Sequence, residues 1–164
     1  EPKNKDYFVL INNKTKSLVE TISSRALEIK IFLNNKLKND VIKSLIEKNK
    51  IKTFINFNEF DLSPGNFLSF NQICYDHEID IRENFLENFK KLIKLNKKDK
   101  DLKMIKFILF LTDVYFLNLS SKKYHLEKVI EDKNFIIDNI NNFINYNLNQ
   151  TTLLNSINNR MTHE

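Results

Sequence analysis

A chain of 164 residues has the length of one domain, and its 41% apolar fraction is enough to close a core. One Cys, one Gly, two Pro and no Trp exclude collagenous and disulfide-scaffolded classes, and 14 Phe exclude a disordered polymer. A single glycine also excludes the phosphate-cradling G-x-x-x-x-G-K-[ST] loop and the dinucleotide-binding G-x-G-x-x-G turn, while a net charge of +5 permits attraction to nucleic acid, sulfated glycans or anionic lipid.

From Lys5 to Lys38 the apolar residues Phe8, Ile11, Leu18, Ile22, Ile29 and Phe32 approximate a heptad stripe, flanked by Val19, Leu27 and Leu33. Thr15 and Arg25 are its faults. Neither Gly nor Pro interrupts it, so the expectation is one long amphipathic helix. Asn39-Asp40 offers an N-cap for a second helix carrying Val41, Ile42, Leu45 and Ile46, extended to Phe54 and Ile55. Ser63-Pro64-Gly65 is a turn signal. Around it Phe54, Phe57, Phe60, Phe67 and Phe70 are too apolar for a free linker, so this loop is expected to pack onto the body. Phe67 to Tyr75 carries no decisive pattern.

Asp80-Ile81-Arg82-Glu83 reads as an acidic capping box before a helix that buries Phe85, Leu86, Phe89, Leu92 and Ile93. Lys97 to Asp101 is a charged connector, with Asp99 or Asp101 capping the next helix. That helix, Met104 to Leu119, is the most apolar run of the chain. At 16 residues it falls short of the roughly 20 needed to cross a bilayer, and it reads as a buried central helix. Ser120-Ser121 separates it from a helix over about Lys122 to Leu148, striped by Leu126, Val129, Ile130, Ile137, Ile140, Ile144 and Leu148. Thr151 or Thr152 caps a last helix with Leu153, Leu154 and Ile157. The sum is an all-α fold: one domain over 1–164, an antiparallel bundle of five or six helices around a central helix near 102–119, frayed at 1–5 and 159–164.

Candidate chemistry concentrates at Cys74-Tyr75-Asp76-His77-Glu78-Ile79-Asp80. As a calcium loop running from Asp76 to Glu87 it places Ile81 where the sharp turn requires glycine. As a zinc site, Cys74 and His77 find no second cysteine, and His125 and His163 stand far along the chain. Cys74 continues an apolar stripe with Phe70 and Ile73, which reads as a buried structural residue. Glu83 with Glu87 and Glu127 with Glu131 read as solvated helix faces. Asp113 interrupts the apolar helix beside Tyr115, and pairing with a lysine or hydroxyl of a neighbouring helix is expected. No catalytic residue, cofactor or metal site is assigned. The sequons at Asn13, Asn118 and Asn149 are chance expectations in a chain with 25 Asn.

Lys90, Lys91, Lys94, Lys97, Lys98, Lys100 and Lys103, continued by Lys106, form the basic concentration, a solvated face or a polyanion-binding stretch. Lys, Asn, Ile and Phe supply half the chain, the mark of AT-rich codons. Only three of the 26 basic residues are Arg, the type that reads guanine and pairs bidentately with phosphate.

In this texture, from Asp6-Tyr7-Phe8-Val9-Leu10 to Ile140-Asn141-Asn142-Phe143-Ile144, the chain resembles exported and surface proteins of Lyme-disease spirochaetes, nearest in size the EppA/BapA group of plasmid-encoded exported proteins. The resemblance implies an extracytoplasmic protein, its export signal removed, without enzymatic activity and with a role at the host interface. It carries over no functional residues. Two functions follow as expectations: binding of a host or surface protein, marked by an unusually large exposed apolar patch, or binding of nucleic acid or glycosaminoglycan through the lysine-rich connector.

Overall fold

The computed structural model describes residues 8–12, 17–99, 101–121 and 125–162, with backbone only at 97–99 and 162. Among them regular structure is entirely helical, in seven helices. The chain divides into two units, Glu1–Asn34 and Asn35–Glu164.

Among the described residues of the first unit the expected long helix is absent: only α1, Glu20–Ser23, is helical, and every described residue from 8 to 34 is exposed. Residues 5–7 and 13–16 of the expected helix lie outside the described residues. A helix must fix several residues before its first hydrogen bond forms, and in water it persists chiefly by burying one face. The described residues of this segment bury none. Its apolar residues also fall outside any single helical face: Leu27, Ile29, Ile31 and Leu33 alternate with Glu28, Lys30 and Phe32.

The second unit begins with α2, Asn35–Asn49, which therefore starts ahead of Asn39-Asp40 and contains that pair instead of being capped by it. It ends at Lys50, held at φ 50°, with the Ile51 N–H reaching back to the Ile46 carbonyl at 3.2 Å. Phe54 and Ile55 lie beyond the helix. Their N–H groups both donate to Asn71 Oδ1, at 2.6 and 3.1 Å, and Asn71 Nδ2 donates to the Phe67 carbonyl at 2.8 Å. One buried amide thus pins an irregular segment that places Ile55 in the core.

Ser63-Pro64-Gly65 is the start of α3, Pro64–His77, and not merely a turn. Ser63 Oγ accepts the Asn66 N–H and Pro64 occupies the first helical position, where its missing N–H costs nothing. Phe67, Phe70 and Cys74 form the buried stripe of α3. The helix stops at Glu78, at φ 49°, with the Ile79 N–H on the Cys74 carbonyl at 3.0 Å.

The capping box at Asp80 is not realised. Asp80 Oδ1 accepts the Arg82 N–H at 2.9 Å within a turn, and α4 begins only at Phe85. Buried Ile79 and Ile81 hold this turn against the core, which withdraws Asp80 from the helix end. α4, Phe85–Asp99, buries Phe85, Phe89, Leu92 and Ile93, with Leu86 half-buried, as its pattern predicts.

Asp101 caps α5, Leu102–Ser120, by accepting the Lys103 N–H at 2.9 Å. Phe107, Ile108 and Leu111 are fully enclosed, so the most apolar run is indeed the central helix. α5 packs against α3, α4 and α6, while α7 meets both α6 and α4. The four helices α4 to α7 therefore close a ring, with α3 laid on α5 and α2 on α3. Short connectors force successive members of the ring to run antiparallel. Phe70 stacks on Phe110 at 5.1 Å, and Phe85 on Tyr115 at 4.3 Å.

α6, Leu126–Tyr146, buries a stripe shifted from the expected one. Val129, Asp132, Ile136 and Ile140 face inward, whereas Leu126, Ile130, Ile144 and Leu148 are exposed and Ile137 is half-buried. The run Phe135-Ile136-Ile137 fits two adjacent registers, and packing against α5 and α7 selects one. α7, Gln150–Thr162, is capped by Asn149, whose Oδ1 accepts the Thr151 N–H at 2.8 Å, and not by Thr151 or Thr152. It stays helical through 159–162, where fraying was expected. Among the described residues no helix is long and apolar enough to cross a membrane.

Candidate functional site

Cys74 is fully buried on α3. Burial, and secondarily the charge of Asp80, pushes its thiol up to about 12. It is held as a neutral thiol, the wrong form for a nucleophile or a metal ligand. The carboxylates around it turn outward and are used locally: Asp76 accepts from Gln72 Nε2 at 2.7 Å, and Asp80 closes its turn. Among the described residues no three His, Cys, Asp or Glu come together as a metal site. Glu83 sits in the turn before α4, so it shares no helix face with Glu87.

Asp113 meets the lysine expected of it. Lys133 of α6 lies 2.9 Å from its Oδ1, in a half-exposed pair. The acid that is buried is a different one. Asp132, 4% exposed, accepts from Nε of Arg160 on α7 at 2.6 Å. The guanidinium also lies 5.5 Å from the Phe135 ring. Asp132 lies three residues after Val129 and four before Ile136, so its place on the inward stripe was readable once that stripe was known. It lines a cavity of about 220 Å³ with Phe116, Val129, His125 and Met161.

The described lysines lie on several surfaces. Lys90 and Lys94 project from α4 toward α7, and Lys90 Nζ is 3.4 Å from Asn158 Oδ1. Lys91 turns the other way and donates to the His77 carbonyl. Lys103 and Lys106 are exposed on α5. The side chains of Lys97 and Lys98, and Lys100 altogether, lie outside the described residues, as does His163. Of the four basic candidates whose side chains are described, Lys90 and Lys94 are the two that share a cleft, about 340 Å³ in volume.

The largest departure from an ordinary surface is in the first unit. Twelve large apolar side chains between Phe8 and Leu33 are 40–95% exposed. The heptad reading hid this by assigning them a helix face. The two-residue alternation from Leu27 to Leu33 was the available signal. Comparison of the chain with protein-family models, with curated proteins and with solved structures finds no match.

Proposed function

We propose that this chain is a non-enzymatic binding module for another protein, with residues 8–12 and 17–33 as its contact surface. The carrying observation is the exposure of Phe8, Ile11, Leu27, Ile29, Ile31 and Phe32 in a unit with no described buried residue. Water disfavours each of these side chains by about 1.5–3 kcal/mol relative to burial, so a partner that covers them gains affinity directly. The alternation of Leu27, Ile29, Ile31 and Leu33 suits addition along the edge of a partner's sheet, with Glu28 and Lys30 on the opposite side. In the exported setting that the resemblance implies, that partner is a host or surface protein.

A photo-crosslinking residue at Ile29 in the full chain, expressed in its own cells, is expected to give one adduct of defined mass. The same residue at Lys106 should not give it. With the captured protein purified, Leu27→Ser, Ile29→Ser and Ile31→Ser combined should weaken binding at least tenfold at an unchanged melting temperature. Equal adducts at both positions, or unaltered affinity of the triple variant, refutes the reading.

A further inference from the structure

We propose that the cleft between α4 and α7 binds a small phosphate monoester, with Lys90 and Lys94 holding the phosphate and the side chains of α7 holding the body of the ligand. Four residues apart on α4, the two lysines lie on one helix face and line the same cleft. Opposite them stand Gln150, Thr151, Asn155 and Asn158. Among the described residues that line the cleft none is acidic, and Lys90 Nζ has an amide oxygen, Asn158 Oδ1, at 3.4 Å. Lys94 makes no ion pair among the described residues.

Three features select the ligand. A phosphate monoester carries about −1.5 to −2 at neutral pH, which two lysines match, whereas a carboxylate or phosphodiester leaves one of them uncompensated. The amides and the hydroxyl opposite both donate and accept, as the hydroxyls of a sugar do. The volume, about 340 Å³, lies at the lower end of the roughly 300–1,000 Å³ of small-molecule clefts, too small for a polymer to be enclosed. The start of α7 does not carry the site, because Asn149 already takes the Thr151 N–H. The proposal is independent of the protein-binding reading, which concerns the other unit.

The test is a titration of the full chain with glucose 6-phosphate, followed by amide and lysine side-chain NMR shifts. Saturable shifts are expected at Lys90, Lys94, Asn155 and Asn158, with glucose giving none and inorganic phosphate weaker ones. Lys90→Gln with Lys94→Gln should weaken binding about tenfold, from two lost charge contacts, while Lys106→Gln leaves it intact. An unchanged melting temperature shows that the double variant is folded. Shifts of equal size at Lys91, Lys103 and Lys106 would reveal diffuse charge attraction and overturn the proposal. So would glucose binding as well as its phosphate, or a short DNA strand that binds more tightly than the monoester and spreads its shifts along α4 and α5. Absence of any saturable shift also overturns it.

Discussion

The segment 8–33 and helix α5 each carry ten Phe, Ile and Leu residues, over 26 and 19 positions, yet they meet opposite ends. In α5 Phe107, Ile108 and Leu111 are fully enclosed; in the segment no described residue is buried. The difference lies in neighbours. α5 is met by α3, α4 and α6, so its apolar circumference is covered on most sides. Burial is a property of a residue together with the element packed on it, and composition alone does not supply that element. The same contrast separates stability from binding: apolar side chains that find a partner within the chain hold the fold, and those left exposed are free to hold something else.

The largest effect should come from truncating the enclosed side. Phe107→Ala should cost about 3–5 kcal/mol and Leu111→Ala about 2–5 kcal/mol, read as lowered urea midpoints, against total stabilities of roughly 5–15 kcal/mol. Ile29→Ala and Phe32→Ala should stay within about 0.5 kcal/mol. Comparable losses from both pairs would erase the contrast.

A polar contact sharpens it next. Arg160→Met leaves the buried carboxylate of Asp132 without its charged partner and should cost about 2–3 kcal/mol. Adding Asp132→Leu should restore part of that loss. If Arg160→Met is silent in a thermal melt, α7 is not secured through this pair.

A smaller, opposite effect concerns the ends of the helices. Lys50, Glu78, Asn84 and Asn147 all sit at φ near 50°, a conformation glycine adopts without strain, in a chain that has one glycine and spends it at position 65. Glu78→Gly should stabilise by about 0.5–1 kcal/mol, which a raised urea midpoint would register.

The smallest effect is at the surface of the second unit. Hydrogen bonds from Arg82, and next from Asn56, hold the Glu59 carboxyl below its ordinary value. A carboxyl with a depressed folded pKa contributes stability that is present above its unfolded value, 4.5, and is lost as pH falls through the folded one. Arg82→Ala should bring Glu59 back toward its ordinary value in a carbon-detected NMR titration. The gap in melting temperature between wild type and variant should close in acid. A gap that widens on acidification would contradict this sign.

How much was legible depended on how many alternatives each segment allowed. The capping of α5 by Asp101 and the inward face of α4 could be read because a single register satisfied the pattern. The face of α6 could not, since Phe135-Ile136-Ile137 permits two registers and Asp132 enters the core only in one. The polar bridge through Asn71 joins residues 16 and 17 apart, and no local pattern announces such a contact. Lys90 and Lys94 were visible as charge, but the opposing residues lie about 60 positions further along the chain, so their cleft was not.

The sequence by itself determined the helical class, the central place of α5 and the exclusion of nucleotide-loop chemistry, because these follow from periodicity, apolar content and glycine count. Tertiary structure alone decided which face of α6 turns inward, which acid is buried and which lysines stand together. It also decided that the described residues of the heptad-like stripe form one short helix, α1, and not one long one. A local pattern states only that a face is suited to burial, whereas whether it is buried depends on a second surface arriving from a distant part of the chain.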